Sequence, residues 1–208
     1  MKHAYALGIV IALGLYAAPT AQQQNERPRS PAGSSSTQVG GGYFDPTLGY
    51  VGGRWIEITY GRPIRRGRDI FGPDDFADFL NDGAPVWRAG ANVSTRLVNE
   101  MPIDIGGTRL PPGEYTVFIE LAREKWTLII STYRARTGAS NSNDKDSIFG
   151  AFDYTADKDL VRVPMTLETP THSHDQLHWE FVDVTQTGGR IALIWADRMA
   201  WVPFAVAG

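Results

Sequence analysis

Three stretches hold residues whose types and spacing could do chemistry. The first is "PVWRAGANV", residues 85–93. Trp87 offers a flat apolar face that can stack on a sugar ring or cover a core. Arg88 offers a planar five-donor fork suited to a carboxylate or phosphate. Asn92 offers both a donor and an acceptor. Together they suit a polar ring or an anion. The same residues could instead turn a corner. Gly90 permits a turn that other residues resist, Asn92 can bond its own backbone at a strand start, and Arg88 can pair with an acid such as Asp104 or Glu114.

The second stretch is "GRPIRRGRDIFG", residues 61–72, with four arginines in seven positions. Clustered guanidinium groups suggest an anion site. Arg62 and Arg68 are the candidates; Arg65 and Arg66 read as a solvated loop. The competing role for Arg62 and Arg68 is pairing with Asp69, Asp74 or Asp75. The third stretch, "THSHDQLHWE" (171–180), holds His172, His174 and His178. On a strand, His172 and His174 would share one face, as metal ligands require, with Asp175 or Glu180 completing a set. The spacing matches no metal signature, so these histidines are read as an exposed polar loop and no metal is assigned.

Other chemistries find little support. Glu57, Glu114, Asp153, Asp159, Glu180 and Asp197 could do acid–base work, but no spacing singles out a pair. There is no nucleophile elbow, phosphate-binding glycine loop or dinucleotide fingerprint. The chain has no cysteine, which removes disulfides, thiol nucleophiles, iron–sulfur clusters and cysteine-linked lipid. No cofactor is implied. A formal charge of −3 and a pI near 5.8 supply no field that draws nucleic acid.

The elements that must position these residues are mostly strands. Residues 1–21 read as an export signal, with Lys2 and His3 ahead of an apolar run from Ala6 to Ala18 that is short for a membrane span. An uncleaved anchor is the rival reading, because "APTA" is a poor cleavage match. Residues 22–49, rich in Gln, Ser, Pro and Gly, read as a disordered linker. From about Tyr50 to 208 the pattern is of short strands: 54–60, 94–98, 103–105, 114–121, 126–132, 160–167, 177–184, 190–196 and 201–206. Pro164 and Pro203 suggest edges or bulges. "GPDDFADFL" (72–80) predicts one short helix, and the polar run 134–147 reads as a mobile loop. The expected fold is all-β, an antiparallel β-sandwich or open barrel of about nine or ten short strands with one short helix. At least two of Trp55, Trp126, Trp179 and Trp195 should lie in its core.

The set "ITYGRPIRRGRDIFG", "PVWRAGAN", "IGGTRLPPGEYTVF", "WTLIIS" and "FDYTADKDLVRV" resembles the bacterial domain-of-unknown-function family numbered 2911. The likeness runs from about Tyr50 to Val206. It rests on Tyr60-Gly61-Arg62-Pro63, on Gly67-Arg68 with Ile70-Phe71-Gly72, and on Trp87-Arg88 with Gly90-Ala91-Asn92. The resemblance implies an exported bacterial protein and no established activity. Members often carry an acid directly after Gly-Ala-Asn, where this chain has Val93, and Trp-Gly where it has Phe149-Gly150. A catalytic carboxylate at that position is therefore not expected.

These readings favour a periplasmic or secreted, non-enzymatic module that binds a small polar or carbohydrate-like ligand through Arg62, Arg68, Trp87, Arg88 and Asn92. The alternatives are a carboxylate-dependent hydrolase of the cell envelope and a structural envelope protein without a small ligand. A pocket holding Arg and Trp without paired carboxylates favours the binding module; two close carboxylates of raised pKa favour the hydrolase. The absence of any pocket at Arg88 would favour the structural role.

Overall fold

The computed structural model describes residues 29–72, 78–139 and 143–208. The apolar run read as an export signal lies outside them. The strands in chain order are β1 (Ala32–Val39), β2 (Tyr43–Asp45), β3 (Gly49–Val51), β4 (Arg54–Gly61), β5 (Thr95–Asn99), β6 (Ile103–Ile105), β7 (Thr108–Leu110) and β8 (Gly113–Ala122). They continue with β9 (Lys125–Ser131), β10 (Arg134–Ala135), β11 (Ser147–Ile148), β12 (Asp159–Pro164), β13 (Thr166–Glu168), β14 (His174–Thr185), β15 (Gly188–Ala196) and β16 (Arg198–Val206).

Two six-stranded antiparallel sheets dominate. One has the order β1-β4-β5-β8-β9-β12; the other runs β14-β15-β16-β6-β7, with β13 also paired to β16. Pro203 falls between the part of β16 that pairs with β13 and the part that pairs with β6. Pro164 ends the edge strand β12. The turn between β6 and β7 is Gly106-Gly107, with φ of 58° and 80°. A two-residue hairpin needs that left-handed backbone.

The sheets bury their alternate residues against each other. Ile56, Ile58 and Tyr60 of β4 meet Leu177 and Trp179 of β14 and Ile191, Leu193 and Trp195 of β15 in one core. Strand β8 is different, because both its faces are covered. Val117 and Ile119 enter the main core, while Phe118 packs outward with Ile129, Tyr133, Ile148 and Tyr154 in a second cluster. That is why "YTVFI" reads as a continuous apolar run. The cover comes from Tyr133, Ile148, Ala151 and Tyr154, beside the parallel β10–β11 pair.

Some expectations are corrected. Residues 32–39, read as part of a disordered linker, form β1 and pair with β4 from Ala32↔Gly61 to Val39↔Arg54. The folded part therefore starts well before Tyr50. The described strands number 16 rather than nine or ten, because short bridging pairs escape a reading by hydrophobic runs. Of the expected helix, only a single 3-10 turn, Asp78–Leu80, is described, and residues 73–77 lie outside the described set. Phe79, expected on an apolar helix face, is exposed. No helix of the described residues is long and apolar enough to cross a membrane. Trp126, Trp179 and Trp195 are in the core, and Trp55 is not.

Candidate functional site

Two sequence motifs meet at one end of the sandwich. Gly61 closes β4, and "WRAGAN" lies across it. A Cβ built on Gly61 would sit 2.7 Å from the Ala91 carbonyl carbon and closer still to its oxygen. A Cβ on Gly90 would lie 3.0 Å from the Gly61 carbonyl oxygen and 3.0 Å from Thr95 Oγ1. Gly61 is therefore required by close backbone approach, and Gly90 sits where an added methyl would be tight. The left-handed residues of the turn are Ala89 (φ 52°) and Asn92 (φ 65°), so what Gly90 contributes is space and not dihedral freedom.

Trp87 is a core residue. It is 1% exposed, its ring stacks on Trp195 with centroids 6.2 Å apart and planes at 21°, and its Nε1 donates to the Gly90 carbonyl at 3.2 Å. Its main chain exchanges two hydrogen bonds with Ile119, at 2.8 and 2.9 Å, extending the sheet past the start of β5. Ala89 is held as firmly. Its carbonyl accepts from Thr95 Oγ1 at 3.1 Å and from Trp179 Nε1 at 3.0 Å. Phe71 plugs the arginine loop into the same aromatic stack, 4.8 Å from Trp126 and 6.0 Å from Trp195.

Arg88 spans the corner from outside. Its Nη1 donates to the Asn92 carbonyl at 3.0 Å and its Nη2 to Asp82 Oδ2 at 2.9 Å. The guanidinium also lies 5.5 Å from the Phe152 ring centroid. Its partner acid is thus Asp82, not Asp104 or Glu114, which pair with Arg109 and Arg96. Arg88→Lys should cost about 1–2 kcal/mol, since a compact ammonium lacks the planar fork whose two separate nitrogens reach the Asn92 carbonyl and Asp82. The figure is kept low because Asp82 is well exposed and the pair is screened. Urea unfolding of the two proteins measures this, and coincident midpoints would show that the fork does not hold the corner.

The other candidates divide. Asn92 is exposed, and its Nδ2 donates to the Ser30 carbonyl at 3.0 Å; it does not bond its own backbone. Arg62 is turned to the other sheet. Its Nε donates to the Leu177 carbonyl at 3.3 Å, and its stem fills the space beside Gly33. Arg68 is exposed yet fixed, with Nε donating to the Arg65 carbonyl at 3.0 Å and Nη2 to the Ile64 carbonyl at 2.8 Å. Arg65 returns the bond to the Arg68 carbonyl at 2.7 Å. Among the described residues Arg68 has no carboxylate partner; Asp69 caps the Gly72 amide, and Asp74 and Asp75, the other acids weighed for it, lie outside the described residues.

Arg68, Trp87, Arg88 and Asn92 line one open hollow of about 340 Å³, with Asp82 at its rim and Trp195 beside Trp87. Arg62 does not line it. Over a floor formed by the buried Trp87–Trp195 stack, the hollow presents one ion-paired guanidinium, one guanidinium whose described partners are backbone carbonyls, and an exposed amide. It carries a single described carboxylate.

The remaining candidates give no comparable convergence. His174 and His178 touch edge to face, centroids 4.8 Å apart, across an irregularity in the β14–β15 pairing; His172 precedes the strand and is exposed. Burial pushes the His178 imidazole below its ordinary pKa, and its Nε2 is 3.6 Å from Glu180 Oε1. Among the described residues no three His, Cys, Asp or Glu side chains gather as a metal site would need. A hydrogen bond from Arg96 holds Glu114 below the usual carboxylate range. Asp159 is one of the six candidate acids. Its side chain is 4% exposed and pairs with Arg162 at 2.8 Å, while Tyr154 donates to it at 2.6 Å. Arg162 also ties Glu120, at 2.7 Å. This network secures the cover over β8 and β9, and no periodicity marks it in advance.

Residues 46–204 match the family described as "Protein of unknown function (DUF2911)". No curated protein and no solved structure matches the chain. The match covers most of the 208 residues, so the chain belongs to the DUF2911 family.

Proposed function

We propose that this DUF2911 protein is a non-catalytic binding module of the cell envelope that takes a small, anionic, carbohydrate-like ligand, such as a sugar acid, in the loop-end hollow. The observation that carries the reading is Arg68. Its guanidinium is oriented by two backbone carbonyls, lines a concavity, and has no described carboxylate to neutralise it. A pre-oriented cation with no described counter-ion is matched by an anion that the site does not have to reorganise to receive. Arg88 contributes less, because its fork is occupied by Asp82 and the Asn92 carbonyl. Asn92 adds an exposed amide for hydroxyl groups. The catalytic alternative asks for two close carboxylates, whereas this hollow has only Asp82 among its described lining. Placement in the envelope is supported by Lys2 and His3 ahead of the apolar run to Ala18.

The test is a thermal-shift screen of the purified full-length protein with glucuronate, galacturonate, sialate and glucose 6-phosphate. A ligand that binds only the native state must raise the unfolding temperature as its concentration rises. At least one of these acids should do so, neutral glucose should not, and Arg68→Ala should remove the shift. A screen in which no acid raises the midpoint, or in which Arg68→Ala responds like wild type, would sink the proposal.

A further inference from the structure

We propose that the outer face of the β1-β4-β5 sheet, centred on Trp55, is a second binding surface, and that it takes a neutral oligosaccharide chain. Strand β4 sends Ile56, Ile58 and Tyr60 into the core. Period-2 alternation therefore sends Trp55, Glu57 and Thr59 outward. The register sets Gln38, Ser36 and Ser34 of β1 directly beside them, and Val98 and Arg96 of β5 opposite Glu57 and Thr59. Directly opposed residues share a face. The result is one large ring, 49% exposed, in a field of hydroxyl, amide, carboxylate and guanidinium groups.

The backbone that carries the ring is held within the sheet. The Trp55 amide donates to Glu100 Oε2 at 2.9 Å, and the Glu100 amide returns to the Trp55 carbonyl at 3.0 Å. Beside it, Gly53 leaves room for the Gln38 side chain, whose Cδ lies 2.6 Å from where a Cβ would stand. Trp55 also belongs to two hollows. One, of about 520 Å³, reaches Gln38, Leu48 and Gln186; the other, of about 480 Å³, reaches Ser36, Glu57, Arg96 and Glu100. A single sugar would need one hollow. A chain that crosses the indole would occupy both.

A pyranose ring has a face of C–H bonds and a rim of hydroxyls. The indole suits the first, and the surrounding donors and acceptors suit the second. Three acids, Glu57, Glu100 and Glu114, stand on or beside this face against one base, Arg96, and Arg96 is already paired with Glu114 at 2.6 Å. That balance disfavours an anionic glycan and selects a neutral one. It also disfavours a protein partner, since the centres of protein interfaces are depleted of charge. The surface shares no lining residue with the Arg68 hollow, so either site can fail without the other.

The experiment is titration calorimetry of the full-length protein with cellohexaose, chitohexaose, xylohexaose and maltohexaose up to millimolar concentration. At least one should bind. Trp55→Ala should weaken it at least about tenfold, as loss of a stacking ring implies, and Trp55→Phe should restore most of the loss. Arg68→Ala should bind the chain like wild type. The exposed position of Trp55 predicts near-normal melting for both Trp55 variants. The inference is overturned if no member of the panel binds, or if Trp55→Ala binds undiminished. It is likewise overturned if the face instead drives a concentration-dependent dimer, seen by sedimentation, that Trp55→Ala abolishes.

Discussion

Gly61→Ala should destabilise the protein by more than about 3 kcal/mol, at the upper end of what overpacking costs. The added methyl would meet backbone on the far side, with the Ala91 carbonyl carbon at 2.7 Å and the Ala91 nitrogen at 3.1 Å. A flexible side chain could swing away, but this backbone is pinned. Ala89 carries two hydrogen bonds from Thr95 and Trp179, and Trp87 is bonded to Ile119 on both sides. Relief would have to come from moving β4 or tearing the corner from the core. Urea unfolding followed by circular dichroism measures the loss. A midpoint within error of wild type would mean that the corner is soft and that the interlock of the two motifs is not what holds this end of the sandwich.

Trp126→Ala should cost about 3–5 kcal/mol, the range for removing a large buried ring. Trp126 is fully buried and supports Phe71 at 4.8 Å, which in turn meets Trp195. The cavity would open beneath the segment that anchors the arginine loop. The same unfolding experiment decides this, and Trp55→Ala is its internal contrast. Equal losses for the two tryptophans would contradict the assigned faces of β4 and β9.

Much of the sheet structure was legible because alternation is local. Ile56, Ile58 and Tyr60 against Trp55, Glu57 and Thr59 already separate two faces of β4. That same alternation marks Trp55 as the outward one of the four tryptophans among which at least two core rings were expected. Trp87 was left open between two roles for a different reason. A tryptophan beside an arginine suits a sugar platform and a core equally well, and only the tertiary approach of Trp195 decides between them. The partner of Arg88 was hidden because Asp82 lies in an irregular turn, where spacing carries no geometric meaning. Strand β1 was missed because "AGSSSTQV" buries little. It is an edge strand held by its pairing to β4, and an edge of small polar residues has the composition of a linker. Gly61 and Gly90 were visible as motif residues. That they face each other is a fact of topology that no single stretch contains.

On the proposed function the two arginines divide the labour: Arg88 ties the corner, and Arg68 receives the ligand. The most direct measurement is an amide NMR titration of the full-length protein with glucuronate, alongside Arg68→Gln. The expected result is a saturable set of shifts confined to residues 63–68 and 82–92, lost in Arg68→Gln while the spectrum of the fold stays intact. Shifts that persist unchanged in Arg68→Gln, or a spectrum that glucuronate does not perturb in those two segments, would contradict it.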